Sequence, residues 1–107
     1  MLARHGLLVG EVGTLPAAPF TAVTDDSRRV RAGGLFFAVR GTHHDGHDYL
    51  PAVERAGAAA AIVETEGRTA LPHLVVRDGR RAAAVLAAAA YREPARELSI
   101  VAVTGKA

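Results

Sequence analysis

Short apolar runs, separated by polar segments that contain Gly, Pro, Asp and Arg, recur along the chain. The most pronounced run lies in residues 35–40, which follow two glycines and are apolar from Leu35 to Val39. A strand that is apolar at successive positions is typical of a sheet covered on both faces. Similar runs predict further strands at residues 21–24, 58–63, 73–76 and 98–103.

Two segments between these runs have the pattern of helices. Residues 47–56 carry apolar side chains at helical spacing, with Asp48 as the predicted N-cap and Gly57 as the stop. The Ala-rich residues 79–92 predict a longer helix, which Asp78 can cap. Strands that alternate with helices indicate the α/β class, as a single small domain with a mostly parallel or mixed sheet flanked by helices.

The domain boundaries follow from the same pattern. Residues 1–20 contain one short apolar segment and several Gly and Pro residues, so we treat them as an N-terminal lead-in. Residues 21–98 form the predicted α/β domain. Residues 99–107 complete the last predicted strand and lead out of the domain.

Composition narrows the classes of function. The chain has 107 residues, 50% of them hydrophobic, which suffices for one modest core. Its 13 basic and 11 acidic residues give a net charge of +2 without a basic stripe, so we expect no nucleic-acid partner. There is no cysteine, and hence neither a disulfide framework nor a thiolate metal site. No run has the length of a membrane span and no signal-peptide pattern is present, so we expect a cytoplasmic protein without membrane contact.

Two polar loops flank the strand at residues 35–40 and carry the candidate chemistry. The first offers carboxylates, a hydroxyl and guanidinium groups, and the second offers a hydroxyl, imidazoles and a carboxylate. The candidates are Asp25, Asp26, Ser27 and Arg28 in the first loop and Thr42, His43 and His44 in the second. The alternative for the first loop is an ordinary turn whose Asp and Ser side chains bond local backbone amides.

Three histidines in the second loop raise the alternative of a metal site. Neighbouring His43 and His44 cannot easily converge on one ion, and neither they nor His47 have a thiolate ligand beside them, so we expect no metal site. At the C-terminal end, Thr104 and Gly105 follow a predicted strand like the start of a phosphate loop. That motif is incomplete, because it lacks the longer glycine loop and a Ser or Thr after the lysine.

Several ordered motifs together resemble the N-terminal domain of the Mur ligases, most closely the MurE type. They are DSRRV at 26–30, GLFFAVRG at 34–41, DGHDY at 45–49, Ala52, Gly57-Ala58 and VAVTG at 101–105. The resemblance implies a three-domain, ATP-dependent ligase of peptidoglycan synthesis whose first domain holds the UDP part of UDP-N-acetylmuramoyl-peptide. It also implies that six of the loop residues grip uridine and diphosphate, namely Asp25, Asp26, Ser27, Thr42, His43 and His44, and that ATP and Mg²⁺ serve the parent enzyme. Arg28, beside them, can provide charge to the ligand or brace the loop.

The chain departs from the family pattern at three places. Ala32-Gly33-Gly34 stands where the family usually has Pro-Gly-Asp, and Asp25 occupies a position that is more often uncharged. A carboxylate repels diphosphate, so we expect Asp25 to contribute backbone groups or to point away. Lys106 follows Gly105 too soon to be the family's phosphate-loop lysine.

Two alternatives to a MurE-type domain stay open. One is the equivalent domain of MurF, which shares the acid-Ser-Arg and Asp-Gly-His features, and the other is a stand-alone nucleotide-binding or interaction module. In each case we expect a monomer that binds no cofactor. We identify no catalytic residue among these residues, and we expect no ATPase or ligase activity from them alone, because the phosphate loop is incomplete.

Overall fold

A computed structural model describes residues 2–40, 44–92 and 103–104 of the chain. It contains five strands, two α-helices and two short 3-10 turns. The strands are β1 (Leu8–Val12), β2 (Val23–Thr24), β3 (Leu35–Phe37), β4 (Ala60–Val63) and β5 (His73–Val76); the helices are α1 (Leu50–Arg55) and α2 (Gly79–Arg92). The 3-10 turns span Ser27–Arg29 and Gly46–Tyr49.

The strands form one mixed sheet in the order β1-β5-β4-β3-β2. Strands β2 to β5 run parallel to their neighbours, and β1 is antiparallel to β5. The predicted α/β class with a mixed sheet is confirmed. Residues of β3, β4 and β5 are buried throughout, as expected for parallel strands with helices on both faces.

Alternate side chains of β3, β4 and β5 enter two separate cores. On one face, Leu35, Phe37 and Ile62 pack with Leu86 of α2. On the other face, the intervening strand residues, such as Phe36, pack with Leu50 and Val53 of α1. Burial of each large apolar side chain is worth about 1.5–3 kcal/mol, so the two helices are held mainly by these contacts. Both helices also place their ends beside the loops of the candidate site.

The structure matches the predicted strand and helix at His73–Val76 and Gly79–Arg92 residue for residue. Asp78 also caps α2 as predicted, since its Oδ1 accepts a hydrogen bond from Arg81 N at 3.2 Å. Strand β3 is shorter than predicted and ends at Phe37, although the buried Ala38 still donates to Ile62 O at 2.9 Å.

The N-cap predicted at Asp48 is wrong. The 3-10 turn Gly46–Tyr49 precedes α1, and Asp45 caps it by accepting a hydrogen bond from His47 N at 2.9 Å. Helix α1 itself begins at Leu50 without a side-chain cap. The sequence carries an Asp at both positions, and only the intervening turn determines which of them is used.

The lead-in belongs to the sheet. Strand β1 pairs with β5 within residues 1–20, and the side chains of Leu2 and Leu7 are buried in the core beside α2. Leu2 N donates to Val103 O at 2.9 Å. The sheet therefore begins at Leu8 and not at residue 21. The sequence pattern did not predict β1, because Gly10 and Glu11 interrupt its apolar run.

Most of the strand predicted at residues 98–103 lies outside the described residues. Val103, which is described, is helical together with Thr104, and both are buried. In the described part of the chain, no helix combines the length and the apolar character that a membrane span requires.

Candidate functional site

A cleft of about 810 Å³ opens where the parallel strands β2 and β3 end and where α2 begins. Ligands of open α/β sheets bind at this carboxyl edge of the strands. The cleft is lined by Asp25, Asp26, Ser27 and Arg28 after β2, by Val39, His44, Gly46 and Tyr49 after β3, and by Arg80 and Ala83 of α2. A cavity of about 280 Å³, with mainly apolar walls, shares Asp25 and Ala83 with it.

The loop after β2 is held by Asp26. Its Oδ1 accepts from Arg28 N at 3.0 Å, and the Arg28 guanidinium donates to both carboxylate oxygens at 3.1 Å. Thr24 Oγ1 accepts from Asp26 N at 3.0 Å. The hydrogen bonds from the Arg28 side chain and backbone lower the pKa of Asp26 below its usual range, so this carboxylate is charged at neutral pH.

These contacts orient Ser27. It opens the 3-10 turn Ser27–Arg29, directly after the cap residue Asp26, and lines the cleft half-buried. Its hydroxyl bonds no other residue in the described ranges. A hydroxyl that lacks a protein partner and borders a cleft is available to a ligand.

The charged side chains of the cleft differ in how far they are neutralised. Arg28 is engaged by Asp26, and Arg29 Nε also lies 3.8 Å from that carboxylate. Arg80 of α2 also lines the cleft, and its guanidinium has no hydrogen-bond or ion-pair partner within residues 2–40, 44–92 and 103–104. Arg80 is therefore the lining cation that is most available to an anionic ligand. Asp25 is exposed and lines both cavities.

The loop after β3 is closed at its base by backbone contacts. Arg40 and Asp45 form an antiparallel bridge, and Gly46 N donates to Val39 O at 2.9 Å. A Cβ on Gly46 would lie 2.7 Å from Val39 N, so only glycine fits this approach. His44, which directly precedes Asp45, is exposed and lines the cleft.

His47 is buried below this loop. Its Nδ1 lies 2.7 Å from Asp45 Oδ1, and its Nε2 accepts from Glu64 N at 3.0 Å. Glu64 Oε1 in turn accepts from Gly79 N, the first residue of α2, at 2.9 Å. Sequence reasoning grouped His47 with His43 and His44, but its burial separates it from the cleft.

The structure thus brings five of the seven predicted substrate-binding residues to one cleft: Asp25, Asp26, Ser27, Arg28 and His44. The other two, Thr42 and His43, lie outside the described residues. Sequence analysis missed Tyr49 and Arg80. One signal for Arg80 was available, because two arginines stand in the first turn of the predicted helix 79–92, where the helix dipole disfavours cations.

The predicted phosphate loop is described only at Thr104. This residue is 3% exposed, and its carbonyl accepts a hydrogen bond from Ala3 N at 2.9 Å. Thr104 is the one member of the predicted loop among the described residues, so the phosphate loop stays a prediction. Gly105 lies outside them. Among the described side chains, no group of three His, Asp or Glu residues is arranged to hold a metal ion.

The chain resembles known proteins along most of its length. A family model described as the Mur ligase family, catalytic domain, matches residues 19–105. The UDP-N-acetylmuramyl-tripeptide synthetase of Roseiflexus sp. is 49% identical over 86 residues, covering 78% of this chain and 17% of that protein. The UDP-N-acetylmuramoyl-L-alanyl-D-glutamate--2,6-diaminopimelate ligase of Geobacter metallireducens is 42% identical over 97 residues, covering 89% of this chain and 19% of that protein.

Solved structures show the same fold. A crystal structure of MurF from Acinetobacter baumannii superposes with a TM-score of 0.66 and 31% identity, over 75% of this chain and 18% of that one. The MurF ligase of Thermotoga maritima in complex with ADP superposes with a TM-score of 0.55 and 27% identity, over 69% of this chain and 17% of that one. The chain therefore spans less than a fifth of the length of these relatives.

Proposed function

The chain belongs to the Mur ligase family, and on that premise we propose that it binds the UDP part of a UDP-N-acetylmuramoyl-peptide. The observation that carries the proposal is the convergence on one cleft of the Asp26-Ser27-Arg28 loop, His44 and Arg80, whose side chain has no partner among the described residues. These groups suit a nucleotide diphosphate. A hydroxyl and a guanidinium can donate to phosphate oxygens, and an imidazole can stack on or hydrogen-bond a base.

The two cavities divide the proposed ligand by polarity. Ser27, after β2, and Arg80, in α2, both line the larger cleft, so a diphosphate bound there can receive hydrogen bonds from two elements of the fold. The smaller cavity, with Val23, Phe37 and Leu86 in its wall, suits an uncharged ring. Asp25 borders both cavities, and its negative charge disfavours phosphate groups close to it.

For the longer protein of which this domain would be a part, we propose an ATP-dependent ligase of peptidoglycan-precursor synthesis. We favour the MurE type because relatives named as tripeptide synthetase or diaminopimelate ligase share 49% and 42% identity with the chain. The MurF type is the second candidate, supported by the superposition on the Acinetobacter baumannii structure. The described residues contribute binding, and ATP and Mg²⁺ would act elsewhere in that protein.

Calorimetric titration of UDP, uridine and UDP-N-acetylmuramoyl-dipeptide into the 107-residue chain tests the proposal. Loss of one hydrogen bond to a charged group costs about 1.5–3 kcal/mol, so Ser27→Ala should weaken UDP binding roughly 10- to 100-fold. Arg80→Ala should weaken UDP binding to a similar extent but leave uridine binding nearly unchanged, because uridine carries no phosphate.

Two substitutions serve as controls. Arg81→Ala removes a guanidinium from the same helical turn, but from a position that does not line the cleft. Arg68→Ala removes an arginine that does not line the cleft and whose side chain bonds only Asp48 among the described residues, at 3.3 Å. Both variants should bind UDP like the wild type. A wild-type chain that binds no UDP, or a Ser27→Ala variant that binds it equally well, would show that the cleft has another ligand.

A further inference from the structure

His47 is the one buried histidine that joins two walls of the cleft within residues 2–40, 44–92 and 103–104. We propose that it is a positioning residue, which fixes residues 44–46, after β3, relative to the first turn of α2 without touching the ligand. The inference rests on the proposed function, because the two walls matter only if the cleft binds a nucleotide. Three consecutive hydrogen bonds carry it.

The first two bonds define the protonation of the ring. Glu64 N–H donates to His47 Nε2 at 3.0 Å, so Nε2 must be the acceptor nitrogen. The proton of the neutral ring is therefore on Nδ1, which donates to Asp45 Oδ1 at 2.7 Å. The same carboxylate oxygen accepts from His47 N at 2.9 Å. Asp45 thus selects the tautomer that can receive the Glu64 amide.

The third bond reaches the other wall. Glu64 follows β4, and its Oε1 accepts from Gly79 N at 2.9 Å. Asp45 stands between His44 and Gly46, and Gly79 precedes Arg80; these three neighbours all line the cleft. A path of hydrogen bonds therefore runs from one wall to the other through Asp45, His47, Glu64 and Gly79.

A second path is weaker. Arg40 Nε lies 3.7 Å from Asp45 Oδ2 and 3.8 Å from Glu64 Oε2, but the Arg40 side chain is 57% exposed. Exposed ion pairs at such distances contribute little to stability because water screens them. The His47 side chain is fully buried, so its bonds have no competing water. We therefore assign the coupling to His47 and not to Arg40.

Two substitutions separate the bonds of the ring. His47→Asn keeps a side-chain donor near the position of Nδ1 but removes the acceptor for Glu64 N–H. His47→Gln places an amide oxygen near the position of Nε2 and so keeps that acceptor. We expect His47→Asn to weaken UDP binding about tenfold, because the walls lose their preorganisation. His47→Gln should restore most of the affinity.

His73 provides a matched control for the loss of a buried imidazole. It is 1% exposed, as His47 is, and its ring makes the same pair of bonds, with Leu71 O at 2.7 Å and Gly67 N at 3.4 Å. None of these three residues lines the cleft. His73→Asn should therefore lower the melting temperature without changing the affinity for UDP. Equal losses of affinity in His73→Asn and His47→Asn would overturn the inference.

Amide hydrogen exchange tests the coupling in the wild type, where folding is not at risk. Saturating UDP should slow exchange of the Glu64 and Gly79 amides several-fold and leave exchange of the Gly67 amide unchanged. The reason is that coupling acts in both directions: if these hydrogen bonds favour UDP binding, bound UDP favours these hydrogen bonds. Unchanged exchange at Glu64 and Gly79 in a chain that binds UDP would refute the positioning role while the proposed function stands. If the wild type binds no UDP, the proposed function fails. Faster exchange of the Gly79 amide in ligand-free His47→Asn than in the ligand-free wild type would then still demonstrate the link between the walls. Equal exchange rates in the two chains would exclude that link.

Discussion

At the scale of single residues, the cleft depends on which polar groups are already paired. The sequence allowed Asp26, Ser27 and Arg28 to be selected, because a hydroxyl between an acid and a base in a loop is suited to binding an anion. It could not show that the described residues offer Arg28 a partner, Asp26, and offer Arg80 none, since pairing depends on how the side chains are placed in the fold. His47 illustrates the same limit, because its burial follows from the turn in which it lies.

Asp45 leads to a prediction about pH. The hydrogen bond that Asp45 accepts from the His47 backbone lowers the pKa of Asp45 below its usual range. The hydrogen bond from the His47 side chain acts in the same direction. A carboxyl group whose pKa is lower in the folded than in the unfolded state stabilises the fold above the unfolded pKa, near pH 4. That stabilisation is lost as the pH falls through the folded pKa. Asp26 and Glu54 are shifted in the same direction.

We therefore expect Asp45→Asn to be less stable than the wild type at about pH 6, and the difference to shrink towards about pH 3. Urea unfolding of both chains at several pH values measures it. Asp48→Asn is the control, because the Asp48 side chain is 70% exposed and pairs only with Arg68 among the described residues. A stability difference for Asp45→Asn that stays constant over this pH range would contradict the assignment.

At the scale of elements, agreement with the sequence depends on local signals. Strand β5 and helix α2 were predicted residue for residue because an apolar run, an Asp cap and an Ala-rich segment follow one another without ambiguity. The start of α1 was misplaced because two aspartates, at positions 45 and 48, compete as caps. The 3-10 turn that decides between them depends on a tertiary contact, the approach of Gly46 to the end of β3.

Gly46 gives a prediction at this scale. A methyl group there would meet Val39 N at 2.7 Å and Val39 O at 3.0 Å, which are backbone atoms that cannot rotate away. Gly46→Ala should therefore cost about 1–3 kcal/mol of unfolding free energy, as for other overpacked sites. It should also weaken UDP binding, because the same contact places the loop after β3.

Gly10→Ala is the matched control for this change. Gly10 lies in β1, and a Cβ on it would have no neighbour within 4 Å. Its unfolding free energy should stay within about 0.5 kcal/mol of the wild type. Chemical denaturation compares the two variants. Equal stability of Gly46→Ala and Gly10→Ala would mean that the loop can move away from Val39 at little cost.

At the scale of the whole molecule, helices cover both faces of the sheet. One edge strand of the sheet, β1, lies in the segment before residue 21. The layer architecture followed from the alternation of apolar runs and helical segments. The antiparallel edge strand did not, because β1 is short, contains Gly10 and alternates between half-buried and exposed positions. Its place in the sheet is set by pairing with β5, which is distant in sequence.

Strand β1 protects one edge of the sheet, and its removal by truncation should destabilise the domain. A chain that begins at Thr21 lacks β1, the hydrogen bonds of its pairing with β5, and the buried side chains of Leu2 and Leu7. Each of these leucines contributes about 1.5–3 kcal/mol by burial, against a total stability of about 5–15 kcal/mol for a typical domain. The truncation also exposes β5 as an unpaired edge, which promotes association between copies.

We therefore expect the shortened chain to lose its cooperative thermal transition and to aggregate, as followed by circular dichroism and sedimentation. Two point variants separate side-chain burial from strand pairing. Leu7→Ala should lower the melting temperature, because Leu7 is 3% exposed, whereas Val9→Ala should not, because Val9 is 59% exposed in the adjacent strand. If the shortened chain melted cooperatively at the wild-type temperature, the lead-in would be dispensable and the α/β domain would begin at residue 21 after all.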